Sequence, residues 1–147
     1  MQQVLGVVTI VLVGLMVGVE FAVAVFVNRI FDRLPEAHGL AARSDGARVL
    51  GRVMPVWYIA STALSVLWAV LDWGQPHCRI IAIAAGLLVV SIVMSLVLLV
   101  PINSRVARWA AGEAPADWRR QIGRWNRWHY LRVAIIVAAF VLLVIAD

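Results

Sequence analysis

Four stretches of the sequence are apolar enough and long enough to cross a lipid bilayer, and they limit the possible folds more than any other feature. They cover residues 4–27, 55–71, 80–100 and 131–146. About 20 mostly apolar helical residues cross a hydrocarbon core of roughly 30 Å, and a helix satisfies its own backbone polar groups there. The sequence therefore predicts an all-α integral membrane protein, a four-helix bundle with residues 1–147 in a single domain.

The composition excludes the usual soluble alternatives. Hydrophobic residues make up 63% of the chain and charged residues only 14%, whereas soluble domains average roughly 45–50% and about 25%. The single cysteine rules out a disulfide framework, and all thirteen basic residues are arginine, which rules out lysine-amine chemistry. In so apolar a chain, the net charge of +5 is typical of cytoplasmic loops, and we expect no nucleic acid partner.

The arginines are concentrated between the apolar stretches. Residues 28–54 contain five of them and residues 103–129 contain six, whereas the connection 72–79 contains one. Because arginine-rich loops stay on the cytoplasmic side, this pattern predicts that both long loops are cytoplasmic and that both termini lie outside. The expected location is a cell membrane (plasma or inner), crossed four times, with the lipid bilayer as a partner.

The two long loops differ in their predicted structure. Residues 28–54 contain proline, glycine and serine, which favour a mobile connection with a helical end near residues 47–53. Residues 103–110 and 117–128 are instead predicted to be interfacial amphipathic helices, and Asp117 is a plausible N-cap for the second.

Polar side chains gather toward the cytoplasmic ends of the apolar stretches. Glu20 is the one acid within them, and a charged side chain there costs about 2.5–3.5 kcal/mol on insertion scales. It precedes the end of its stretch by two helical turns, roughly 10 Å below the cytoplasmic surface. Side chains expected near that level are Tyr58, Ser95, Asn103, His129 and Arg132, and Asn28 directly follows the stretch. This asymmetry predicts a polar pocket in the cytoplasmic leaflet.

Aromatic residues recur on one helical face ahead of the last apolar stretch. Trp118, Trp125, His129 and Arg132 are separated by seven, four and three residues, which places them on one face. One interpretation is a helix on the membrane surface with tryptophan among the headgroups. The other is a flat aromatic ligand held between tryptophan rings, with arginine on its oxyanion; Trp109 is a further candidate.

Two weaker patterns leave alternatives open. Glu20 and His129 come from separate helices and could both bind a metal, but two ligands make a weak metal site. The cofactor is therefore either absent or a single metal ion at this pair. Gly14 and Gly18 form a small-xxx-small pair, which favours close helix packing and offers a surface for a homo-oligomer.

Three motifs give the chain a resemblance to a known family. They are Gly-Leu-Met-Val-Gly-Val-Glu-Phe at residues 14–21, Pro-Ile-Asn at 101–103 followed by Trp109, and Trp-Asn-Arg-Trp-His-Tyr-Leu-Arg at 125–132. The chain resembles the small four-helix membrane proteins of the anthrone oxygenase-like family, a family long described as a domain of unknown function. The resemblance implies their fold. Members with an assigned activity oxidise polyketide anthrones to anthraquinones with dioxygen and carry no obvious cofactor motif.

Two functions are compatible with these residues. The first is a membrane-embedded oxygenase or oxidoreductase for a hydrophobic small molecule, an aromatic or phenolic substrate. In it, Glu20 or His129 is the general base, and Arg132 and Asn103 stabilise the developing oxyanion. The substrate-binding candidates are Trp109, Trp125, Tyr58, Asn28 and Ser95. The alternative is a non-catalytic membrane binding or accessory protein in which Glu20 and Arg132 form a structural ion pair.

Overall fold

Four long helices form the protein. The computed structural model describes residues 2–109 and 114–147, and there is no strand within those ranges. The helices are α1 (Gln2–Arg33), α2 (Glu36–Leu71), α3 (Cys78–Val106) and α4 (Trp118–Ala146), and each is long and apolar enough to cross a membrane. The predicted all-α architecture with four membrane spans is therefore confirmed, and the helices indicate a multi-pass membrane protein.

The helices pack in a ring in sequence order. Each contacts its neighbours along the chain, and α4 closes the ring by packing against α1. The main core lies inside this ring and includes Met16, Ile81, Leu88, Ile136 and Leu143, all fully buried. Large apolar side chains such as Val56 and Ile145 are exposed on the outside, as is expected where lipid rather than water is the solvent.

The helices are longer than the apolar stretches predicted. They contain 29 to 36 residues, about 44–54 Å at 1.5 Å per residue, which exceeds a hydrocarbon core of roughly 30 Å. Since consecutive helices run in opposite directions, the polar ends of α1 and α3 and the polar starts of α2 and α4 meet at the same end of the bundle. That end contains twelve of the thirteen arginines, all except Arg79.

The segment 28–54 is helical, and its predicted description as a mobile connection is corrected accordingly. Only Leu34 and Pro35 separate α1 from α2. Leu34 has an extended backbone with ψ 152°, as expected for a residue before proline. The polar part of α2 is held by tertiary packing, because Leu40 and Ala47 are buried in a second apolar cluster with Ile102.

The two predicted interfacial helices are not separate elements. Residues 103–106 are the last turn of α3, and residues 118–128 are the beginning of α4. Residues 110–113, the end of the first predicted interfacial helix and part of the predicted loop 111–116, lie outside the described residues. Within the described part, Ile122 of α4 packs into the second apolar cluster, so this segment contacts the bundle along one face.

Two π-helical turns interrupt the helices near the polar end. They span Val23–Val27 in α1 and Ser95–Leu99 in α3. The second has an identifiable cause: Pro101 lacks an N–H, and its ring clashes with the carbonyl of the residue four positions earlier, which lies in the π turn. Such turns occur often at functional sites, and both line the cavity described below.

Gly14 and Gly18 lie in different environments. A Cβ on Gly14 would lie 2.9 Å from Cε2 of Phe140 in α4, whereas a Cβ on Gly18 would meet no described atom within 4 Å. Gly14 therefore serves close packing within the chain. A homo-oligomer through this pair stays a prediction.

Alanine substitutions at the two glycines are expected to differ in stability. Both substitutions gain similar helix propensity. The free energy of unfolding of Gly14→Ala should still be about 1–3 kcal/mol lower than that of Gly18→Ala, because the added methyl group overpacks against Phe140. Thermal unfolding in detergent measures the difference. Equal stabilities would contradict this packing role, and a changed oligomeric state in Gly18→Ala alone would support the homo-oligomer.

Candidate functional site

A buried acid and a buried arginine form the centre of the polar end. Glu20 of α1 is 3% exposed and Arg132 of α4 is 8% exposed. Arg132 Nη2 donates a hydrogen bond to Glu20 Oε2 over 2.6 Å. Arg132 Nη1 donates to Ser95 Oγ over 2.9 Å, and its guanidinium lies 5.3 Å from the centre of the Tyr58 ring. Arg132 thus joins the other three helices.

His129 lies three residues before Arg132 on α4 and contacts its guanidinium group. It is 1% exposed, and its ring stacks on Trp125 with centroids 4.4 Å apart. Nε2 lies 3.2 Å from the Glu20 carbonyl oxygen, and Nδ1 lies 3.1 Å from Arg132 Nη2. Since a carbonyl only accepts and a guanidinium only donates, the proton is on Nε2 and the imidazole is neutral. Both ring nitrogens are engaged by the protein.

Three polar atoms in this cluster lack a hydrogen-bond partner among the described residues. They are Glu20 Oε1, the Tyr58 hydroxyl and Arg132 Nε. Buried polar atoms in proteins are nearly always paired with protein or water. A carboxylate oxygen, a phenol and a guanidinium N–H are thus left without a hydrogen-bond partner in the described part of the chain, at the centre of the polar cluster.

A cavity of about 460 Å³ opens beside these atoms, within the size range of small-molecule sites. Seven of the nine residues singled out in the sequence line it: Glu20, Asn28, Tyr58, Ser95, Asn103, Trp125 and Arg132. The rest of the wall is mainly apolar and includes Val23, Leu50, Met54 and Leu99. The structure therefore brings most of the predicted site residues around one space.

Two of the nine residues do not lie on the cavity wall, which corrects their predicted positions. His129 stacks on Trp125 and contacts the Glu20 carbonyl and Arg132 Nη2; its role as a base stays a prediction. Trp109 is buried in the second apolar cluster with Leu40 and Ile122, and its role in holding an aromatic ring stays a prediction.

The two asparagines lie toward the outer, arginine-rich end of the cavity. Asn103 Nδ2 donates to the Ala47 carbonyl over 3.2 Å, which leaves its second amide hydrogen available because the group has two donors. Asn28 Nδ2 donates to Asn126 Oδ1 over 3.1 Å. Both therefore link neighbouring helices in addition to lining the cavity.

Sequence reasoning missed Arg43 and Arg48, which also line the cavity. Both belong to the segment that was interpreted as a loop. Arg43 is 6% exposed, pairs with Asp32 and donates to the Asn28 carbonyl over 3.4 Å. Small and apolar residues flank it at Leu40, Ser44 and Ala47, and this helical spacing was the available signal.

The residues suggested as metal ligands are already engaged. The Arg132 guanidinium is bonded to both Glu20 Oε2 and His129 Nδ1, so a cation occupies the position that a shared metal would take. Among residues 2–109 and 114–147, no group of three or more His, Cys, Asp or Glu side chains is arranged to hold a metal. The described donor set does not fit a metal ion.

One comparison with known proteins gives a match. The family model described as anthrone oxygenase matches residues 47–142. The match covers most of α2, all of α3 and most of α4, and with them Tyr58, Ser95, Asn103, His129 and Arg132, whereas Glu20 lies outside it. No curated protein and no solved structure matches the chain.

Proposed function

The chain belongs to the anthrone oxygenase family, and we propose that it is a membrane-embedded oxygenase that oxidises a lipophilic, anthrone-like aromatic or phenolic substrate with dioxygen. One observation carries the proposal: Glu20 Oε1 has no partner among the described residues and belongs to a residue on the wall of a largely apolar cavity. A buried carboxylate in such a place can serve as a general base. The substrate is proposed to enter from the bilayer.

Glu20 is the proposed base and acts on the methylene carbon of an anthrone. It removes one proton, and the electron pair of the broken C–H bond delocalises to the carbonyl oxygen as an aryloxide. Asn103 is proposed to donate its free amide hydrogen to this oxygen, at the outer end of the cavity. The low-polarity walls strengthen such a hydrogen bond.

Dioxygen is the proposed oxidant. The aryloxide transfers electrons to dioxygen, and a C–O bond forms at the former methylene carbon to give a peroxide anion. Protonated Glu20 returns its proton to this peroxide, while Arg132 and the Tyr58 hydroxyl stabilise its negative charge. The carbon then loses its second hydrogen as a proton to the Glu20 carboxylate, and the electron pair of that C–H bond forms the new C=O bond. The O–O bond breaks, and the departing hydroxide takes the proton from Glu20 and leaves as water. The balance is one methylene and one dioxygen converted to one carbonyl and one water.

His129 is proposed to position Arg132 rather than to take a proton from the substrate. Its two nitrogens fix the relation between the Glu20 backbone and the Arg132 guanidinium. Trp125 stacks on His129 and also lines the cavity. Its ring therefore connects the cavity wall to His129. No step here uses a metal.

One observation favours the alternative function, a binding or accessory protein. The Glu20–Arg132 pair is complete at 2.6 Å, as a structural ion pair would be in a binding or accessory protein without turnover. Such a protein would still bind an aromatic molecule in the cavity but would not consume dioxygen.

Oxygen consumption separates the two functions. Purified protein in detergent, supplied with anthrone, is expected to consume one dioxygen per anthraquinone formed, at a rate above the oxidation without protein. With ¹⁸O₂, the new carbonyl should contain one labelled oxygen. Boiled protein is the control. Tight binding of anthrone with no oxidation above that control would favour the accessory protein.

Cysteine labelling tests the proposed orientation, in which both termini lie outside the cell membrane. Asp45 in the polar part of α2 and Gln75 in the connection before α3 are both exposed. In a Cys78→Ser background, an impermeant maleimide added to intact cells is expected to label Gln75→Cys and not Asp45→Cys. Both should react after lysis. Labelling of Asp45→Cys in intact cells would reverse the orientation.

A further inference from the structure

The outer end of the cavity carries two arginines that the proposed oxidation does not use. Arg43 and Arg48 both line it. Backbone carbonyls hold them in place: Arg43 Nη2 donates to the Asn28 carbonyl over 3.4 Å, and Arg48 Nε donates to the Ala107 carbonyl over 2.9 Å. Each guanidinium keeps N–H donors that these bonds do not use.

The carboxylates paired with these arginines are not on the cavity wall. Arg43 pairs with Asp32 and Arg48 with Asp45, whose side chains are 61% and 71% exposed. The other charged residues of the described wall are Glu20 and Arg132, which pair with each other. Solvent screens the exposed carboxylates, whereas Arg43 is buried. The described wall at the outer end of the cavity therefore carries two guanidinium groups and no carboxylate.

The outer and inner ends of the cavity wall lie far apart along α2. Arg48 and Tyr58 are ten residues apart on α2, about 15 Å along the helix axis. Apolar side chains lie between them on the wall, among them Leu50 and Met54. A flat aromatic molecule with its reacting carbon at Glu20 extends toward Arg48 and Arg43.

We propose that the substrate carries an anionic group, such as a carboxylate, on an outer ring, and that Arg43 and Arg48 bind this group. The inference rests on the proposed function and names its substrate class: amphipathic aromatic acids rather than fully neutral polycycles. Anchoring the acid end selects the orientation that brings the methylene carbon to Glu20. Guanidinium groups suit this task because they bind carboxylates through several N–H donors.

Binding of two nearly isosteric product analogues tests the inference. Anthraquinone-2-carboxylate and the neutral anthraquinone-2-carboxamide are titrated into detergent-solubilised protein while tryptophan fluorescence is followed, since Trp125 lines the cavity. The wild type is expected to bind the acid about tenfold more tightly than the amide, the ratio of roughly one charge-assisted hydrogen bond. Arg48→Gln and Arg43→Gln should each reduce this ratio severalfold.

Arg52→Gln is the matched control. It removes the same charge from the same helix, but Arg52 is exposed and is not on the cavity wall, so the ratio should stay at the wild-type value. The exposed position of Asp32 means that Arg43→Gln leaves no buried unpaired carboxylate. If Arg43→Gln still fails to fold, the ratio in Arg48→Gln tests the inference alone. The Arg48 side chain is half exposed, so this substitution should not affect folding.

Three results would overturn the inference: a wild-type ratio near one, an equal loss in Arg52→Gln, or loss of the acid preference when phosphatidylglycerol is added to the micelles. The last would identify a lipid headgroup as the bound anion. The test involves no turnover. A protein that oxidises anthrone but has a ratio of one overturns this inference alone, and one that prefers the acid but never oxidises anthrone overturns the proposed function alone.

Discussion

Glu20→Gln is expected to reduce turnover of an anthrone by about 10²–10⁴-fold, the usual effect of losing a general base. The amide keeps the shape of the side chain, and its oxygen can still accept the 2.6 Å hydrogen bond from Arg132 Nη2. Gln does not neutralise the buried Arg132 cation, so a loss of stability is expected as well, but binding of the anthraquinone analogues by the folded protein should change little. Turnover and binding are measured on the same preparation, so that loss of chemistry is distinguished from loss of the pocket.

Glu36→Gln is the control for this substitution. Glu36 is also paired with an arginine, Arg119, but both side chains are more than half exposed, and its turnover should match the wild type. Unchanged turnover in Glu20→Gln would mean that the base is another group. Loss of binding together with turnover would mean that Glu20 shapes the pocket rather than performing the proton transfer.

Arg132→Leu is expected to lower the unfolding free energy by about 3–5 kcal/mol, the cost of leaving one charge of a buried ion pair without its partner. Glu20 remains buried without its cationic partner, and His129 Nδ1 and Ser95 Oγ lose the hydrogen bond that Arg132 donates to each. Thermal unfolding in detergent, with purified protein yield as a second readout, measures the loss.

The double variant Glu20→Leu/Arg132→Leu should recover most of this stability, because replacing both charges by apolar residues is often nearly neutral. It should remain inactive. Arg119→Leu is the matched control, since the exposed Arg119–Glu36 pair contributes only about 0–1 kcal/mol. A double variant as unstable as Arg132→Leu would show that the destabilisation comes from lost packing around Arg132 and not from the unpaired carboxylate.

Depth along the helices was enough to predict which polar side chains meet. Once four spans of alternating direction are known, the distance of Glu20, Ser95 and Arg132 from the same membrane surface follows from the helical rise of 1.5 Å per residue. Polar side chains at one depth in a narrow bundle face its interior and so meet one another, because a polar side chain facing lipid is costly. The contacts among these residues agree with that reasoning.

Trp109 and His129 show where the same reasoning stops. Both lie at the right end of the bundle, yet Trp109 is buried in the second apolar cluster and His129 is behind Arg132. Sequence spacing gives the face of a helix that a residue occupies, but it does not give the rotation of that helix against its neighbours. That rotation decides whether a ring lines a cavity or packs beside it.

The sequence by itself determined the four spans, their alternation and the gathering of polar groups at one end, because the bilayer imposes length and apolarity on every spanning segment. Only the tertiary structure decided that residues 28–54 are helical and that Arg43 and Arg48 reach the cavity. Outside the bilayer, marginal helices form according to what they pack against. Leu40 and Ala47 of α2 find their partners in α3 and α4, contacts between residues far apart in the chain that no local pattern records.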